Sequence, residues 1–317
     1  MISIVRYSRI LALLFFVSSQ TYCKKVEQID AAASLSAGGS EIAELVSLRE
    51  RIEGWASRCG FSVAKDNCSV GDAALFNGLM CLSGDELACE AVRRSQGSDG
   101  RMWRAELRVA ADAVNSFSRD MALGVLAYIV ETRDVGLAQR WFAWIKQNDL
   151  RLCRESTDNR CSITPPVWTL FREVWLYLGL TPEKEMSPTS SLWIDTSFVT
   201  LVQAQFAPLG FEVHLTAVSL LLKSKMGQRS DTLKSLAAAL VARQPGNPFF
   251  VYLNEGPSFR AVQLTNQWCP ANPPEYKSEW SFERSIEQQP WLRSMGWECV
   301  MLINLIEKDA LSRNSFQ

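Results

Sequence analysis

A single histidine, His214, is all that the 317 residues contain. That scarcity excludes catalytic zinc sites built on three histidines, or on two histidines and a carboxylate. A basic excess is missing too, since 33 Lys and Arg face 34 Asp and Glu. A nucleic-acid binder carries a basic stripe to neutralise phosphates, so that class is excluded. No Cys-x2-Cys spacing suggests structural zinc, and no Gly-x-Ser-x-Gly elbow suggests a serine hydrolase. Phosphate loop, dinucleotide fingerprint and calcium loop are all lacking, so no cofactor is implied. What the chain does have is 47% apolar residues, 21% charged residues and eleven Trp, the composition of a globular protein. Its length allows two average domains or one large repetitive one.

The N-terminus carries Arg6 and Arg9, then the apolar run Ile10 to Val17, then Ser18 and Ser19. Basic region, short apolar core and small-residue exit predict a secretory signal peptide over 1–19. The run falls short of the roughly 20 apolar residues that span a bilayer, so no integral span is expected in the mature chain. An uncleaved anchor is the alternative. Cys23 invites a lipoprotein reading, but Gln20 and Tyr22 fit that pattern badly. Residues 20–40, small, polar and rich in Gly and Ser at their end, predict a tether ahead of a single domain over 41–317. The expected location is the periplasm or the exterior.

Nine cysteines remain to be placed. With Cys23 set aside, eight are left, and export permits their pairing. Proximity pairs Cys59 with Cys68, Cys81 with Cys89 and Cys153 with Cys161, leaving Cys269 for Cys299. Eight cysteines allow about 105 connectivities, so this pairing follows from spacing alone. A free catalytic thiol beside His214 is the rival reading.

Helical spacing dominates the rest. Ile42, Leu45, Leu48, Ile52 and Trp55 recur at intervals of three and four. Segments 72–82, 118–130, 167–178, 214–222, 248–254 and 295–306 are apolar almost all round. The segments between them, such as 86–95, 135–145, 197–206 and 231–243, have one wet face. No strict alternation extends beyond four residues, so the fold class is all-α. Alternation of sheathed and half-wet helices at roughly 40-residue intervals predicts an inner ring surrounded by an outer one, an (α/α)6 toroid of six helical hairpins. An irregular helix bundle is the alternative.

In helix number and in motif placement at the starts of the apolar helices, the chain resembles six-hairpin glycosidase-like proteins. More narrowly, GDAALFNGLMC (71–81), SFSRDMALGVLAYI (116–129), RQPGNPFFVYL (243–253) and SMGWECVMLINLI (294–306) look like segments of exported bacterial proteins of unknown function. The resemblance implies that helix N-termini and the loops before them line a funnel that holds sugar. It transfers no catalytic pair residue by residue, and fold does not imply function.

Glycoside hydrolysis uses two carboxyl groups, one protonated and one ionised. Asp72 and Asp120 each precede an apolar helix, where they either cap it or face a site. Arg119 beside Asp120 favours an ionised base. Glu283 lies among Trp280, Phe282 and Arg284, where lost solvation favours a proton donor, and a salt bridge to Arg284 is the alternative. Asp120 and Glu283 are therefore the expected pair, with Asp72 in reserve. Glu298 could face the same cavity. Glu173, on an apolar helix, must find a partner if buried. His214 starts an apolar helix and is either a core residue or a group that orients substrate. Trp103, Trp280 and Trp297, in loops or at helix starts, are the expected sugar platforms. Arg104 and Arg119 would orient polar groups. Trp141, Trp144 and Trp175 fall at helical spacing and belong to the core. The expected function is an exported protein acting on a poly- or oligosaccharide by acid-base hydrolysis in a toroid funnel. A non-catalytic envelope protein that binds a glycan or a partner protein is the rival.

Overall fold

The computed structural model describes residues 39–65, 68, 71–109, 117–154, 159–186, 196–277, 280–284 and 290–314. The expected signal peptide, Cys23 and the tether up to residue 38 lie outside the described residues. Gly39 and Ser40, expected in the tether, already belong to the first helix. The twelve α-helices described are α1 (Gly39–Trp55), α2 (Ala73–Leu82), α3 (Glu86–Arg94), α4 (Arg119–Thr132), α5 (Val135–Gln147), α6 (Pro165–Tyr177), α7 (Thr196–Phe206), α8 (Phe211–Lys225), α9 (Asp231–Arg243), α10 (Pro248–Glu255), α11 (Phe259–Trp268) and α12 (Trp297–Asn314). Among the described residues the chain is all-α apart from one small antiparallel ladder, β1 (Arg58–Cys59) with β2 (Ser62–Val63), in which Arg58 faces Val63. Two-residue strands are too short to produce an alternating pattern.

Side-chain caps set many of the boundaries. Asp85, Asp134 and Ser230 each accept from the amide three residues on, and Asn247 accepts from both Phe249 and Phe250. Each such bond satisfies a helix-end donor that would otherwise lack a partner. Asp231 is the first residue of α9, behind Ser230. Helix α11 had no expectation attached: it buries only Ala261, Val262 and Thr265, too narrow a stripe for periodicity to reveal.

All ten residues of α2 are buried, as are Met121 to Val130 of α4. Where these two helices cross, Gly78 and Gly124 bring backbone against backbone. A Cβ on Gly78 would lie 1.9 Å from the Gly124 carbonyl oxygen. Helix α4 also packs on α6 and α8, while α12 packs on α1 and α2. Helices α8, α10 and α12 are largely buried as well. Helix α6, expected to be buried all round, is not: Leu170, Phe171, Val174 and Trp175 face the core while Leu176 is exposed. Glu173 on its margin finds the partner it needs, with Lys223 Nζ of α8 2.6 Å from both carboxylate oxygens.

The cysteines pair as proximity suggests. Cys59–Cys68, Cys81–Cys89, Cys153–Cys161 and Cys269–Cys299 lie at disulfide distance, with Cα separations of 5.7, 4.6, 5.3 and 5.9 Å. Four such pairs fit an oxidising compartment. Among the described residues no helix is long and apolar enough to cross a membrane.

The glycine crossing makes a direct prediction. Gly78→Ala should cost about 3 kcal/mol, the upper end of overpacking penalties, because its new methyl meets backbone. Gly54→Ala has open space within 4 Å in exposed helix and should stabilise by about 0.8–1 kcal/mol. Denaturant midpoints of the two variants would test this, and equal effects would contradict the close crossing.

Candidate functional site

The starts of α2, α8, α10 and α12 are joined by one short segment, residues 280–284. Trp280 is 1% exposed. Its ring stacks on Phe76 of α2 at 4.7 Å and 7°, and meets His214 of α8 edge-on at 6.4 Å. Two residues later, Phe282 stacks on Phe249 of α10 at 6.0 Å. Ser281, between them, reaches α12: its amide and its hydroxyl donate to Glu298 Oε1 at 3.1 and 2.5 Å. Ser294 Oγ donates to the same oxygen.

Glu298 and His214 are both fully buried. Burial pushes the Glu298 carboxyl above the ordinary carboxylate range, against the hydrogen bonds from Ser281 and Ser294, which pull it down. Burial pushes the His214 imidazole down to about 3, so it is neutral at physiological pH. Among the described residues, Glu298 Oε2, both ring nitrogens of His214 and Trp280 Nε1 find no hydrogen-bond partner.

A cavity of about 230 Å³ opens beside this cluster. Its lining comes from the turn between α9 and α10, the end of α11, and the 280–284 segment. Trp268 and Trp291 form a tilted pair on its wall, ring centres 4.5 Å apart, and both are only half-buried. Arg243, Arg284, Gln244 and Ser281 supply its polar groups. Arg243 is held in place by donating to the carbonyls of Ala204 and Ala207 at 2.9 and 2.5 Å. Gln244 Oε1 accepts from Asn247 Nδ2 at 3.1 Å, while Gln244 Nε2 is buried without an acceptor. The Cys269–Cys299 pair fastens the Trp268 wall to the first turn of α12, next to Glu298. Among the described residues that line the cavity there is no carboxylate.

The expected site residues are therefore dispersed. Of the carboxyl groups, Glu283 is half-buried between two lining residues, and Asp120 with Arg119 is half-buried in the first turn of α4. Asp72 makes no side-chain cap to α2 and pairs with Lys65 at 3.8 Å. None of these three acids lines the cavity. The three tryptophans expected as open platforms are all buried. Trp280 serves the core, Arg101 covers the Trp103 ring at 4.2 Å, and Arg58 covers Trp297 at 4.3 Å. Arg104 is half-buried next to Trp103. His214 is a core residue within reach of Trp280. The aromatics that do face the cavity, Trp268 and Trp291, are not among the expected site residues, and Arg243 and Gln244 figure in the sequence only as the start of segment 243–253. The available signal was the Pro-Gly-Asn-Pro turn at 245–248, which marks a helix start.

Compared with protein-family models, curated proteins and solved structures, the chain matches none.

The two buried titratable groups act on stability in opposite directions. Unfolded, Glu298 loses its proton near its ordinary value of 4.5, whereas folded it holds the proton to higher pH. Its contribution is thus present below pH 4.5 and lost as pH rises through the folded value. His214 is neutral when folded down to about pH 3 but protonates below 6.5 when unfolded. Its contribution is present above 6.5 and lost as pH falls toward 3. Denaturant unfolding measured from pH 3 to 8 should show a flatter high-pH limb for Glu298→Gln and a flatter acid limb for His214→Leu. Limbs unchanged from the parent chain would rule out buried titration at these positions.

Proposed function

We propose that the chain is an exported six-hairpin (α/α)6 protein that acts on a glycan by binding it in the cavity beside Trp268 and Trp291. Export is supported by the signal-peptide pattern of residues 1–19 and by four cysteine pairs at disulfide distance. The ring reading is supported by the burial of five of the six apolar helices and by the convergence of four helix starts on residues 280–284. The wet face of α6 and the direct packing of α4 on α8 depart from a regular ring.

The observation that carries the binding reading is the half-buried Trp268–Trp291 pair beside fixed polar groups. Indole faces stack on the apolar faces of sugar rings, and a few placed donors fix orientation. The cavity is smaller than the roughly 300–1,000 Å³ of drug-sized sites, so it suits one ring or chain end. Hydrolysis remains the second reading because Glu283 lies between Phe282 and Arg284, which both line the cavity. It requires a carboxyl pair, which the described lining does not supply.

Purified mature chain should bind at least one member of a panel of polysaccharides and peptidoglycan without producing reducing ends. Trp291→Ala should weaken that binding at least about tenfold, as loss of an aromatic platform does. New reducing ends abolished by Asp120→Asn or Glu283→Gln would establish the hydrolase instead. Neither binding nor product would remove the glycan reading.

A further inference from the structure

We infer that the saccharide taken by this cavity is the head group of an amphiphile, whose alkyl or acyl chain lies on the exposed turn between α7 and α8. This rests on the glycan-binding reading above and adds the substrate class.

That turn presents three large apolar side chains within six positions. Phe206 is 67% exposed, Leu209 44% and Phe211 42%. Apolar residues exposed singly are ordinary, whereas a group of them marks contact with another molecule. The group is continuous with the cavity, because Leu209 also belongs to the lining. Two contacts hold the turn in place. Arg243, another lining residue, donates to the Ala204 and Ala207 carbonyls at 2.9 and 2.5 Å. Gly210 lies against the 280–284 segment, where an added Cβ would sit 3.4 Å from the Glu283 carbonyl oxygen. Apolar side chains carried on a fastened turn lose little further freedom when a ligand covers them.

Area decides what the ligand is. Taking a whole aromatic side chain as about 200 Å², the three side chains expose roughly 300 Å². A stable protein partner covers about 800 Å² on each side, which this turn alone cannot offer. At about 30 Å² per methylene, the patch equals the surface of about ten CH2 groups, the size of an alkyl or acyl tail. Leu209, between the two rings, has no aromatic face for a sugar to stack on and no polar side-chain atom to meet its hydroxyls. An aliphatic chain suits all three side chains. The sugar then occupies the cavity, where Trp268 and Trp291 supply indole faces.

The test is calorimetric titration of the mature chain with methyl and octyl β-glucoside and with methyl and octyl N-acetyl-β-glucosaminide, all below micelle-forming concentration. At least one octyl compound should bind about tenfold or more tighter than its methyl counterpart, because each methylene buried adds up to about fourfold. Phe206→Ser and Phe211→Ser should each cut that octyl-to-methyl ratio by about threefold or more. Leu176→Ser, on the exposed face of α6 at 56% exposure, should leave the ratio unchanged. Equal affinity of methyl and octyl compounds would overturn the amphiphile and leave glycan binding standing. A ratio unmoved by both Phe substitutions would overturn the assignment to this turn. Capture of the chain by vesicles of phosphatidylcholine alone, lost in Phe206→Ser, would reassign the turn to a membrane surface and overturn the inference. If no alkyl glycoside binds while a glycan from the wider panel does, the inference falls alone. If no glycan or glycoside binds at all, both readings fall.

Discussion

Much of the described structure turns on the stacking of Trp280 against Phe76. An indole buried at 1% exposure holds a short segment against α2. The residues after it then reach two more helices and the cavity wall. Ser281 binds Glu298 of α12, Phe282 stacks on Phe249 of α10, and Arg284 reaches the cavity wall. A single 3-10 turn over Ser281–Glu283 supplies few backbone bonds, so side-chain packing must offset most of its conformational entropy. A large aromatic inserted between helix starts does this efficiently, because it combines a large buried area with few rotatable bonds. The cavity's geometry therefore depends on a residue that does not line it.

The same region concentrates unmet polar burial. Glu298 takes three donors on one carboxylate oxygen and none on the other, and His214 has no partner for either nitrogen among the described residues. Neutrality reduces the cost, since a protonated carboxyl and an uncharged imidazole avoid the penalty of a buried charge. The upward shift of Glu298 and the downward shift of His214 both favour the uncharged form. Unpartnered polar atoms in an otherwise apolar cluster are a local inconsistency that calls for a physical reason.

Helix positions and cysteine pairing were legible because both follow from short-range rules. Spacing of three and four located α1, α5 and α9, a nearly continuous apolar run located α4, and loop proximity paired six cysteines and left Cys269 for Cys299. The need of Glu173 for a partner follows from its place on an apolar helix, but only the fold supplies Lys223. The site was far less legible. Trp103, Trp280 and Trp297 lie in loops or at helix starts, and sequence position alone made them look open. Burial of each depends on residues distant in sequence or on a neighbouring Arg that covers the ring. Conversely, Trp268 ends a helix with a weak apolar stripe and pairs with Trp291 across 23 positions, which no local pattern reveals. Asp72 looked like a cap by residue type, but its backbone at φ −109° and ψ 32° is not in the extended conformation of a capping residue.

The central claim is that residues 280–284 are locked onto the helix starts before any ligand binds. Hydrogen exchange at the Ser281 amide tests it most directly, because that N–H donates to buried Glu298. The account predicts protection comparable to the core amides of α2 in the unliganded chain, lost in Glu298→Ala while α2 stays protected. Rapid exchange at Ser281 in the parent chain, beside a protected α2, would contradict it.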